Sequence, residues 1–214
     1  MAMALNTTNS ISEILKLLSF EETQHMMRVG ALVDRFAAKL KSYALLKTQG
    51  NEQKYWGKAA FYHDIGKGWI PKNILAKPDR LTEQEMEIIR SHPLLAKKIF
   101  EKIKCGQISG IPDYLIPLAA DSAIYHHEWW NGIGYPYGIK QDEIPLIARI
   151  TSICDAYDAM TSKRIYHRKS HTHEYACYEL RRCAGTQFDP KLVRIFLSAE
   201  TPSEVSQKES FSQL

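Results

Sequence analysis

Apolar residues recur along most of this chain at three- and four-residue steps, the spacing that gathers one face of an α-helix. Residues 10–20 carry Ile11, Ile14, Leu15 and Leu18 in that register, with Ser10 placed as the cap. A longer stripe of Met26, Val29, Leu32, Val33, Phe36 and Leu40 predicts a helix over residues 21–46. On it, Glu21 and His25 are four residues apart and share a face. Residues 52–65 predict a third helix, stopped at Gly66, where glycine can take a left-handed backbone. Pro71 and Pro78 make residues 68–81 an ordered loop. The run Thr82-Glu83-Gln84-Glu85 then matches a capping box and opens another helix. That helix breaks at His92, because the residue before Pro93 is pushed out of the helical region, and resumes over residues 93–103.

Further helices are predicted over residues 112–127, from Pro145 through Asp155, over residues 174–184, and over residues 191–199 after Asp189-Pro190. Between them, residues 129–143 mix Gly132, Gly134, Gly138 and Pro136 with aromatics, a composition that folds as a rigid packed loop. With no sustained strand alternation, the pattern predicts an all-α protein, the glycine loop leaving room for one short hairpin.

Length and composition narrow the picture modestly. A chain of 214 residues suits one domain with ragged ends, here an N-terminal extension over 1–20, a folded domain over 21–200 and a polar tail over 201–214. The net charge of +4 fits an anionic substrate, and equally a mildly basic protein with no such role. Cys105, Cys154, Cys177 and Cys183 lack CxxC spacing, which argues against a zinc knuckle or a disulfide framework and for reduced thiols. Asp121 and Arg149 interrupt the most apolar stretches, so no run reaches the roughly 20 residues a membrane helix needs. The first ten residues have neither the basic nor the apolar region of a signal peptide, so a cytoplasmic protein is expected.

The candidate chemistry begins at His63-Asp64. Imidazole nitrogen together with a carboxylate that can bridge suits borderline divalent ions, so the pair asks for further ligands. His25, His92, His126, His127 and Asp155 stand at helix ends or on a helix face, and Glu21 shares the face of His25. Any one histidine is more often a surface or hydrogen-bonded core residue than a ligand. Taken together, the mixed set excludes a soft thiolate site and suits Fe, Mn, Zn or Ni.

The motifs also fall in a recognisable order. His63-Asp64-Ile65-Gly66-Lys67, Ile70-Pro71, Leu81-Thr82, His92-Pro93, His126-His127-Glu128, Gly132-Ile133-Gly134-Tyr135-Pro136, Asp155-Ala156-Tyr157-Asp158-Ala159, Arg164-Ile165-Tyr166 and Phe188-Asp189-Pro190 closely resemble the HD-GYP family of cyclic dinucleotide phosphodiesterases. The resemblance spans about residues 21–197. It implies an HD-type bundle of seven to eight helices whose core holds two or three divalent ions, Fe or Mn above all. His25, His63, Asp64, His92, His126, His127 and Asp155 match the metal ligands, with Asp64 bridging, and Glu21 matches the carboxylate of members that hold a third ion. Lys67 and Arg164 match phosphate contacts, and Tyr135 or Trp130 could stack on guanine.

The implied reaction is metal-dependent hydrolysis of cyclic di-GMP to pGpG and onward to GMP, with Asp64 and Lys67 in the catalytic roles. The resemblance also raises GGDEF-type proteins docking on the glycine loop and a homodimer as partners; DNA and membrane are not among them. The chain departs from the family's pattern at Gly68, Trp69, Lys72, Trp129, Asn131 and His167, around the substrate and not among the ligands. Two rivals follow: an enzyme for another cyclic dinucleotide such as cyclic GMP-AMP, and a weakly active module that binds cyclic di-GMP or a diguanylate cyclase.

Overall fold

The computed structural model describes residues 8–42, 52–162 and 171–199. Among these residues the only regular elements are helices, with isolated bridges at Ser10–Ser109 and Ala184–Phe188 in place of strands. The anticipated hairpin does not form, because the glycine loop folds on side-chain and backbone contacts to its neighbours.

The first helix, α1 (Ile11–Leu15), is shorter than its apolar stripe suggested. Ser10 caps it, accepting from the Glu13 amide, and Ile11 and Ile14 are buried, so α1 is packed into the bundle. A turn follows, and a reciprocal pair starts α2 (Phe20–Ser42): the Ser19 amide donates to the Glu22 carboxylate and the Glu22 amide to the Ser19 hydroxyl. The predicted continuation of α2 to residue 46, the tail over 201–214 and Arg164 lie outside the described residues.

A 3-10 turn over Glu52–Tyr55 leads into α3 (Trp56–Phe61), which ends four residues earlier than periodicity suggested. His63 and Asp64 therefore sit in the turn after α3, ahead of a second 3-10 segment at Ile65–Trp69. The reason for Gly66 also differs from expectation. It has no left-handed φ; instead, a Cβ there would fall on the backbone carbonyl of His92. The span predicted as a loop contains a single helical turn, α4 (Lys72–Leu75).

The capping box is present: the Thr82 hydroxyl accepts from the Glu85 amide and the Glu85 carboxylate from the Thr82 amide, opening α5 (Glu83–Arg90). The break falls one residue earlier than expected: the helix is interrupted only at Ser91, and α6 (His92–Lys104) begins at His92, which is helical although it precedes Pro93, because proline is tolerated in a helix's first turn. Then come α7 (Ile116–Tyr125), α8 (Leu146–Thr161), α9 (His173–Arg182) and α10 (Pro190–Ala199). Two apolar clusters hold these helices together. One joins Val33, Phe36, Trp56, Ile150, Ile153, Leu180 and Phe196 from α2, α3, α8, α9 and α10. The other joins Ile14, Ala59, Ile65, Ile99, Phe100 and Ala123 from α1, α3, α6, α7 and the segment after α3. Only small residues on α3, Ala59 and Ala60, are fully buried between the two, which lets the flanking helices close around its C-terminal end. No helix of the described residues is long and apolar enough to cross a membrane.

Candidate metal centre

The closing of helices around the end of α3 brings five histidines and two aspartates to one point. His25 comes from α2, His63 and Asp64 from the turn after α3, His92 from the start of α6, His126 and His127 from the end of α7, and Asp155 from α8. Potential ligand atoms of Asp64, His92, His126 and His127 lie within 4.8 Å of one another, as do those of His25, His63 and Asp64, and those of His63, His126 and Asp155. Asp64 belongs to two of the groups and faces both ways. Its Oδ1 is 3.3 Å from His92 Nε2 and 3.8 Å from His126 Nε2, while Oδ2 is 3.4 Å from His63 Nε2 and 3.8 Å from His25 Nε2.

Hydrogen bonds outside this cluster settle which ring nitrogen faces inward. Nδ1 of His63, His92 and His126 lies 2.9, 2.9 and 3.0 Å from the carbonyls of Ala60, Ile89 and Ser122. A carbonyl can only accept, so in each neutral ring Nδ1 carries the proton and Nε2 presents a lone pair to the centre. His25 is anchored from behind in a different way, its Nδ1 donating at 2.7 Å to Asp158, which Arg28 holds in turn at 2.7 and 3.0 Å. Periodicity did not single out Asp158; its signal was the three-residue step from Asp155 on one helix face.

The outcome is a pocket of acceptors short of donors. Nε2 of His92 and Nε2 of His126 face each other at 3.5 Å beside Asp64 Oδ1, and both Asp64 Oδ1 and His63 Nε2 are buried without a hydrogen-bond partner. Lone pairs at such spacing repel unless a cation lies among them, so the donor set fits divalent metal held by nitrogen and oxygen.

Protonation energetics agree. Burial holds His92 neutral, its pKa down to about 3, and His127 likewise, down to about 4; burial keeps His126 well below the ordinary value too. His25 goes the other way. Burial opposes its charge, but Asp155 at 2.9 Å and Asp158 outweigh that and push it up to about 9. Burial would also raise Asp64 and Asp155, yet Lys67 and His63 hold the first, and His25 and His63 the second, well below the usual carboxylate range.

The remaining predicted residues lie around this centre. Lys67 pairs with Asp64 Oδ2 at 2.6 Å. Glu21 is in the first turn of α2, lining a cavity with His25, and is not among the groups that converge within 4.8 Å. Tyr135 stacks on His127, centroids 4.7 Å apart at 20°, and its amide donates to the His127 carbonyl. Trp130 is engaged elsewhere, under the Arg149 guanidinium at 5.6 Å, and Trp129 is the tryptophan that shares a groove with Tyr135. The loop is tied down by buried Glu128, whose carboxylate accepts from the amides of Tyr137 at 2.7 Å and Gly138 at 3.0 Å. It closes tightly enough that a Cβ on Gly134 would meet backbone atoms of Trp129 and His127.

Fold and donor set together define a helical protein with a histidine–aspartate cluster of the HD type that could hold divalent metal. The HD domain family model matches residues 9–192, and the chain belongs to that family; the motif order around its glycine loop is of the HD-GYP type. A "Probable cyclic di-GMP phosphodiesterase" of Vibrio cholerae is 40% identical over 178 residues, covering 83% of this chain and 39% of that protein. A "3'3'-cGAMP-specific phosphodiesterase 2" of the same organism is 34% identical over 188 residues, covering 88% and 33%. The chain thus spans well under half the length of these relatives. Among solved structures, the HD domain of the Listeria monocytogenes phosphodiesterase PgpH in complex with cyclic di-AMP shares the fold, with a TM-score of 0.58 and 21% identity over 88% of this chain and 92% of that one.

Proposed function

We propose that this chain is a metal-dependent phosphodiesterase that opens cyclic di-GMP to pGpG and continues to GMP. The observation that carries the reading is the double-sided Asp64 set among inward-facing imidazole nitrogens, two of the buried acceptors being without a protein donor. His63, His25 and Asp155 would hold one ion, His92, His126 and His127 a second, and Asp64 both; Glu21 would serve a third. Iron or manganese suits the mixed nitrogen and oxygen donors. When bound, such ions acidify water at neutral pH and draw charge from a phosphodiester.

The protein's own part is positioning. Lys67, now on Asp64 at 2.6 Å, would share its charge with the non-bridging phosphate oxygens, assisted by Arg164. Tyr135, braced on His127, offers a face to a base, whereas the place of Trp130 under Arg149 favours a part in holding the loop. The four cysteines form no disulfide among the described residues, in keeping with a reducing cytoplasm. The glycine loop, with Ile133 and Tyr137 exposed, would present a surface to GGDEF-type proteins, and a homodimer is proposed on the resemblance alone.

The second reading is hydrolysis of 3'3'-cGAMP, favoured by the similarity to a phosphodiesterase named for that substrate. Anaerobic purification, metal quantification and product analysis on cyclic di-GMP, 3'3'-cGAMP and cyclic di-AMP test both. Cleavage fastest on cyclic di-GMP with metal bound supports the first reading; bound metal with cyclic di-GMP bound yet uncut would overturn it.

A further inference from the structure

A cavity of about 570 Å3 begins at the metal centre, where His25 and Lys67 line it, and runs between the turn joining α1 to α2 and the single turn of α4. Its size falls in the range of small-molecule sites. Leu17, Leu18, Leu75 and Ala76 give it an apolar wall, and Phe20, 81% exposed, stands at its rim. Besides the carboxylates of Glu21 and Glu22, three cationic side chains line it: Arg28, Lys67 and Lys72. Two of them are already neutralised, Arg28 by Asp158 and Lys67 by Asp64. Lys72 is exposed and has no anionic partner among the described residues.

A cyclic dinucleotide carries two phosphodiesters on one ring. With one of them at the metal centre the other must lie a short distance away, and it brings a full negative charge that needs compensation in a partly apolar groove. We infer that this cavity holds the uncut half of the substrate and that Lys72 pairs with its second phosphate. The inference rests on the proposed function. It also gives a role to a position where the chain departs from the pattern of the family it resembles, which commonly has an aspartate there.

The test compares Lys72→Arg, Lys72→Met and Lys72→Glu with wild type, after metal loading, on cyclic di-GMP and on bis(p-nitrophenyl) phosphate, which has one phosphodiester and no second phosphate. Lys72 is exposed, so the variants should fold, which melting temperature and metal content check. The ratio of kcat/KM on cyclic di-GMP to that on the simple ester should fall roughly tenfold for Met and further for Glu, through KM, and be restored by Arg. Calorimetric binding of cyclic di-GMP to the metal-free proteins should weaken in the same order and lose part of its salt dependence. An unchanged ratio and affinity in Lys72→Glu overturns the inference while leaving the function standing. Wild-type protein that cleaves the simple ester but no cyclic dinucleotide overturns the proposed function, and this inference with it.

Discussion

At the scale of single residues, the centre depends on groups that touch the ligands from behind. Asp158 is buried, accepts from His25 Nδ1 and is clamped by Arg28. Replacing Asp158 with Asn keeps the shape but frees the ring to turn, so metal affinity should fall about 10- to 100-fold in a competition titration with a chelator. Lys67→Ala removes the charge beside Asp64 without removing a ligand; turnover should drop on the order of a hundredfold with metal per chain unchanged. Loss of metal in that variant would show that Lys67 organises Asp64 instead.

The same groups set a pH profile for the metal-free protein. His92 and His127, folded pKa about 3 and about 4, bind protons more readily when unfolded, so they remove stability as pH falls below the ordinary histidine value. His25, raised to about 9, contributes stability that is complete below about 6.5 and lost as pH rises toward 9. Thermal unfolding of chelated protein should therefore be most resistant near pH 6–7 and weaken on both sides; a steady rise in melting temperature from pH 6 to pH 9 would contradict this.

At the scale of elements, the decisive contact is between the segment after α3 and the start of α6. Gly66 passes so close to the His92 carbonyl that a side chain cannot fit, and His92 is both the first residue of α6 and a member of the centre. Gly66→Ala should thus do more than destabilise. Backbone must move apart, costing about 3 kcal/mol, and the movement should lower metal occupancy, read together by denaturant unfolding and metal analysis. The capping box of α5 could be read from sequence because it is local, a hydroxyl reaching the third amide, whereas the break near Pro93 could be read only to within a residue, since it falls at Ser91 and His92 is already helical. The early end of α3 could not, since Phe61 and Ile65 keep the apolar register while the chain turns to present His63 and Asp64 inward.

At the scale of the whole molecule, candidate ligands drawn from five places in the chain would make folding and metal binding interdependent. Metal that binds only the folded form at 100 times its Kd contributes about 2.7 kcal/mol, so removing it by a chelator should lower the melting temperature by roughly 5–10 °C for a chain of this size, with recovery on adding manganese. The sequence by itself determined the helical class, the caps, and the roster of histidines and aspartates, because periodicity, capping and residue chemistry are properties of near neighbours. Their order along the chain also carried the resemblance to a family. Only the tertiary structure decided that Asp64 faces two groups of imidazoles, that Asp158 orients His25, that Trp130 belongs to Arg149, and that Lys72 opens onto the same cavity as His25. Those facts depend on distances between segments up to 133 residues apart, which are set by how the apolar faces of the helices pack and not by any local pattern.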